Sequence, residues 1–127
     1  MATATDATWT SGLLGMRANH ANSTDQSRFS VLRWNVVSPT DNFDGSGSLS
    51  NYSLYNTTGA WSVVNGHLVA DASARQATAL RNGVSIENGW VETKTDQVAD
   101  GGLVLRAQNL NSYYLLAIRD DSRFGHA

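Results

Sequence analysis

The polar residues of this chain are of the wrong kind for helices. It carries eleven Asn, fourteen Ser, eleven Thr and eleven Gly, against one Lys and two Glu. Glu and Lys are the surface residues that sustain a helix, whereas Asn, Ser, Thr and Gly favour strands and tight turns. A chain that solubilises itself in this way is predicted to be all-β. At 127 residues with 41% hydrophobic and 16% charged, it is long and apolar enough to bury one core.

Several function classes fall away on composition. No Cys is present, which removes disulfide scaffolds, thiolate metal sites and Cys nucleophiles, and leaves His20, His67 and His126 as the imidazoles. Eight Arg are spread from Arg17 to Arg123 without a basic block, and the formal charge is -2, so nucleic acid is not an expected partner. No apolar run approaches the roughly 20 residues of a membrane span, and the polar start has no signal-peptide pattern, so a soluble chain without an export signal is expected.

The chain divides into an N-terminal arm at 1–8, one sandwich over 9–121, and a tail at 122–127. Leu13 to Ala18 and Phe29 to Val37, joined by a polar turn, form a first hairpin candidate. The second of these carries apolar residues on both alternating faces, which predicts a sandwich. Ala60 to Val64, Asn65-Gly66 and His67 to Ala70 spell a hairpin with a two-residue turn. Trp90 to Asp96 alternates, with Trp90, Glu92, Lys94 and Asp96 on one, wet face. Asp100-Gly101-Gly102 reads as a turn before Leu103 to Gln108, and Tyr113 to Arg119 as a closing apolar strand. Seven to nine strands result. The expected core includes Leu13, Met16, Phe29, Val31, Trp61, Val63, Leu68, Leu103, Leu105, Tyr114, Leu116 and Ile118, with Trp34 also inside.

Two stretches resemble a known family. Asn42 to Gly45 (Asn-Phe-Asp-Gly), Trp61 to Leu68 (Trp-Ser-Val-Val-Asn-Gly-His-Leu), Gly102 to Gln108 and Asn111 to Leu116 are similar to the opening half of concanavalin A-like or laminin G-like jelly rolls. Ser11 to Ala18 and Arg28 to Arg33 look like that family's closing strands. The order is rotated: 9–37 resembles the end of the fold, 41–121 its beginning, and the middle segment is missing. The resemblance implies an antiparallel β-sandwich, permuted or incomplete, with an open sheet edge at Tyr113, Leu115, Ala117 and Arg119. An apolar open edge invites association, so a homo-oligomer or a covering protein partner is expected.

Catalysis is not expected. The nearest counterpart to a glycosidase carboxylate pair is Glu92 and Asp96, four residues apart on a strand and so roughly 13 Å apart, beyond the roughly 5–9.5 Å that glycoside hydrolysis uses. No Gly-x-Ser-x-Gly elbow occurs. No cofactor is implied, although the resemblance allows a Ca²⁺ at the rim on Asp41, Asp44, Asp120 and Asp121, with Asn42 beside them. A glycan or partner contact falls on Trp90 with Asn88, Glu92 and Lys94, then on Tyr52 and Tyr55, with Trp61 more a core than a surface residue. Two function classes follow: a non-catalytic phage virion protein, capsid-decorating or tail-associated, or a carbohydrate-binding module of a secreted glycan-active protein. A glycoside hydrolase fragment ranks third.

Overall fold

A computed structural model describes residues 10–35, 41–56, 58–109 and 111–119. Nine strands form among them: β1 (Leu13–Ala18), β2 (Ser27–Trp34), β3 (Tyr52–Tyr55), β4 (Trp61–Val64), β5 (His67–Ala70), β6 (Ala77–Arg81), β7 (Val91–Val98), β8 (Asp100–Asn109) and β9 (Ser112–Arg119). The described residues hold no α-helix, only two short 3₁₀ turns at Ser46–Asn51 and Thr58–Ala60. The strands pair antiparallel into a five-stranded sheet, β3-β6-β1-β8-β9, and a four-stranded sheet, β4-β5-β2-β7. The two sheets pack face to face as an all-β sandwich.

The Asn65-Gly66 turn forms as its residues require. Both take positive φ, 48° and 73°, and the flanking strands pair from Val64–His67 to Trp61–Ala70. The first hairpin candidate does not form. β1 lies in the five-stranded sheet between β6 and β8, while β2 lies in the other between β5 and β7. The eight residues between them exceed the 2–5 of an ordinary hairpin loop and make a corner. His20 plugs that corner: it is 1% exposed, and its backbone N–H donates to the Ala74 carbonyl at 2.7 Å. Its Nδ1 donates to the Asp71 carbonyl at 2.6 Å, and its Nε2 accepts from the Ser27 hydroxyl at 2.8 Å.

A second correction concerns Asp100-Gly101-Gly102, which belongs to β8 and pairs in register with Arg119, Ile118 and Ala117. The chain changes sheet at Ala99 alone, between β7 and β8.

Leu14, Met16 and Ala18 of β1, each 0% exposed, face the other sheet. Phe29 and Leu32 of β2, Tyr52, Trp61, Leu68 and Leu103 complete the core around them, with small Ala77 and Ala79 of β6. Phe29 and Leu32 are three apart and both buried because the β2–β7 register shifts around Phe29, which turns Val31 out of the core. Leu13 also departs from expectation: it joins Leu80, Val104, Ala107, Tyr55, Tyr113 and Leu115 in a separate cluster on the outer side of the five-stranded sheet. Leu116 and Ile118 stand on the inner side of β9 yet are 59% and 38% exposed. Among the described residues β9 is an edge of the five-stranded sheet.

Candidate interaction surface

The exposed inner row of β9 forms one lip of a cleft of about 540 Å³. Leu14 is its floor, Leu103, Leu105, Tyr114 and Leu116 one wall, and Ile86, Gly89 and Val91 the other. The second wall is the segment 82–90 that leads into β7. It begins with the Asn82-Gly83 turn, and Ile86 bridges to Gly12, just before β1, through N–H···O bonds of 2.9 and 3.2 Å. Arg106 donates to the Glu87 carbonyl at 2.8 Å, closing one end of the cleft.

Trp90 follows this wall and is 44% exposed. Asn35, at the end of β2, sets its place. The Trp90 N–H donates to Asn35 Oδ1 at 2.9 Å, Asn35 Nδ2 donates to the Asn88 carbonyl at 3.2 Å, and the Asn35 N–H donates to the Trp90 carbonyl at 3.2 Å. The carboxamide lies so close that a Cβ at position 89 would sit 1.8 Å from Asn35 Oδ1, and Gly89 has φ +137°. Only glycine suits both conditions. The backbone on either side of the indole is therefore braced.

Of the other expected contact residues, Glu92 pairs with Arg33 of β2, and Lys94 is exposed. Asn88 is exposed beside the Asn35 bracket. Tyr55 is half-buried in the outer cluster. Tyr52 is 5% exposed and so offers no ring surface, and Trp61 at 3% is core as well. Tyr52 lies 6.0 Å from Phe43 between ring centroids, with the Arg81 guanidinium 5.7 Å over its ring and the same distance over Trp34. Burial first, then the neighbouring Asp41 carboxylate, hold its hydroxyl far above the usual tyrosine range, with Arg81 pulling weakly the other way.

The edge residues divide by face. Tyr113 and Leu115 pack on the outer cluster, where Arg17 donates to the Tyr113 hydroxyl and stands 5.7 Å over its ring. Ala117 is exposed, and Arg119 pairs in register with Asp100.

Of the expected calcium ligands, Asp41 and Asp44 fall among the described residues. Asp41 is buried at 6%, and its Oδ1 accepts from the Phe43 N–H at 3.1 Å. Asp44 is exposed and accepts from Asn42 Nδ2 at 3.0 Å. Asp120 and Asp121 lie outside the described residues, as do the arm and the tail. Among the described residues no three His, Cys, Asp or Glu side chains are grouped to hold a metal ion.

The carboxylates of β7 are likewise engaged, Glu92 with Arg33 and Asp96 with His67. The Ser27–His20 hydrogen bond was not legible in the sequence, and its hydroxyl is sealed, since Ser27 is 0% exposed. It latches the β1–β2 corner.

No known protein family, curated protein or solved structure was found to match this chain. The surface must therefore be read from its own chemistry. It combines a braced, half-exposed indole, an apolar cleft and an apolar sheet edge with few charges among them.

Proposed function

We propose that this chain is a non-catalytic assembly protein, a permuted jelly roll of the concanavalin A-like or laminin G-like kind, that docks to protein through its β9 edge and the adjoining cleft. The observation that carries this reading is the exposure of Leu116 and Ile118 on the inner side of a terminal strand. Apolar side chains on that side are ordinarily covered, and a protein partner seated on β9 would supply that cover. The central placement of β1 and β2, one in each sheet, supports the permuted order, because strands resembling the family's end lie beside strands resembling its beginning. A phage virion component, capsid-decorating or tail-associated, is the favoured setting: a cysteine-free, nearly neutral sandwich with an adhesive edge suits a repeating shell. Sedimentation velocity across two decades of concentration tests it. Self-assembly, or binding to purified capsids or tails, supports the reading. A chain that stays monomeric and binds neither overturns it.

A second reading rests on Trp90. A braced indole at 44% exposure, two residues from the exposed Asn88, is also a platform for the CH face of a sugar, as a carbohydrate-binding module of a secreted protein would use. Glycan-array binding that disappears in Trp90→Ala, with the melting temperature nearly unchanged, would favour it over the first reading.

A further inference from the structure

The two histidines among the described residues are set in opposite hydrogen-bonding frames. His20 faces a carbonyl, which only accepts, and a hydroxyl, which can donate, so a neutral ring satisfies both neighbours. His67 has no such choice. Its Nδ1 lies 2.8 Å from the Asn65 carbonyl oxygen and its Nε2 lies 2.5 Å from Asp96 Oδ2. A carbonyl and a carboxylate are both acceptors, and a neutral imidazole has one N–H to give. Only the doubly protonated ring makes both bonds.

We propose that His67 is an acid-strengthened clamp that fastens the β4–β5 turn to β7 across the outer face of the four-stranded sheet. The strands it joins are not neighbours. β2 lies between β5 and β7, and the position it places in that gap, next after the Leu68–Phe29–Thr95 row, is Ser30, a residue small enough to leave room for the ring. Asp96 falls at the irregularity where the β2–β7 register passes from Gln97 to Thr95, so it is the extra residue of β7. The carboxylate is 53% exposed and the imidazole 17%, so protons from solvent reach the pair while the ring stays held.

Other charged groups stand on the same face. On β2 they are Arg28, which is opposite Val69 and Gln97, and Arg33, which is paired with Glu92. On β7 Lys94 is exposed, β4 has no titratable residue, and beyond β5 the Asp71 carboxylate accepts from Ser73. Asp96 is the charged group that bonds the ring, its Oδ2 lying 2.5 Å from Nε2. At acid pH the imidazolium donates to Asn65 and Asp96 together. As the proton leaves, one of the two bonds is lost and an unprotonated nitrogen is left facing an oxygen lone pair. β7 is the outer strand of its sheet and carries Glu92 and Lys94, so the clamp firms the strand next to Trp90 as pH falls.

The test compares the wild-type chain with Asp96→Asn and His67→Gln by thermal unfolding. At about pH 5.5 the wild type should melt about 2–4 °C above Asp96→Asn, with the gap closing by about pH 8.5. His20 and the remaining acids are common to both proteins and cancel in the difference. ¹H–¹⁵N spectra of the histidine rings in the wild type supply a readout that does not depend on any variant folding. Two bonded N–H signals from His67 at acid pH, one of them lost on raising pH, support the clamp. A melting gap of equal size at both pH values, or a His67 ring with one N–H throughout, overturns it.

Discussion

Replacing Leu116 and Leu14 by Ala, one at a time, tests how the sandwich is covered. Both side chains line the same cleft, but Leu14 is 0% exposed and Leu116 is 59% exposed. Fully burying a leucine is worth about 1.5–3 kcal/mol, so the two-fifths of Leu116 that is covered within the chain contributes about 0.6–1.2 kcal/mol. Leu14→Ala also leaves a cavity between packed sheets and should cost about 2–5 kcal/mol. For a chain of this size that is a fall in melting temperature of about 3–5 °C for Leu116→Ala and on the order of 10 °C for Leu14→Ala. Differential scanning calorimetry of dilute, monomeric protein measures both. Raising the concentration should then separate the variants in a second way. If a partner covers β9, the wild type gains stability with concentration and Leu116→Ala gains less, because part of the newly buried surface has been removed. Equal losses from the two substitutions in dilute protein would refute the reasoning, since Leu116 would then be packed within its own chain.

Other outcomes follow from single features of the structure. Tyr52 is held neutral in the folded state, so its contribution is fully present below the unfolded tyrosine value of about 10 and is lost as pH rises above it. Alkaline unfolding followed by near-ultraviolet circular dichroism should show wild-type stability falling by up to about 1.4 kcal/mol per pH unit more steeply than that of Tyr52→Phe. Gly89→Ala should displace the Asn35 carboxamide and release the backbone around Trp90, shifting its fluorescence to the red while the overall β signal persists. It should destabilise the chain by about 1–3 kcal/mol, read from urea unfolding.

The sequence announced the strands better than their places. Asn65-Gly66 fixes a hairpin because positive φ at two successive positions is a local demand, and the alternation from Trp90 to Asp96 correctly separates Glu92 and Lys94 from Val91. Which face of a strand meets the second sheet is a non-local matter. Leu13 and Leu14 are equally apolar, and only the position of β1 between β6 and β8 puts Leu14 inside. Leu116 looks like core by its neighbours in sequence, yet it is exposed on an edge strand, a position that only the strand order decides. The β1–β2 corner was hidden for a related reason: the burial of His20 depends on Asp71 and Ala74, about fifty residues away. Of the surface residues, Trp90 and the β9 strand were visible as aromatic and apolar features. The cleft that they flank and the Asn35 bracket were not, because each depends on residues brought together from distant strands.

Hydrogen–deuterium exchange across β9, read by mass spectrometry as a function of protein concentration, tests the assembly reading most directly. Ser112–Arg119 should exchange rapidly on its outer edge in dilute protein and become protected as the chain assembles or as its capsid or tail partner is added, while β1 is protected throughout. Rapid exchange of β9 at every concentration and with every partner, or full protection already in the dilute monomer, would contradict it.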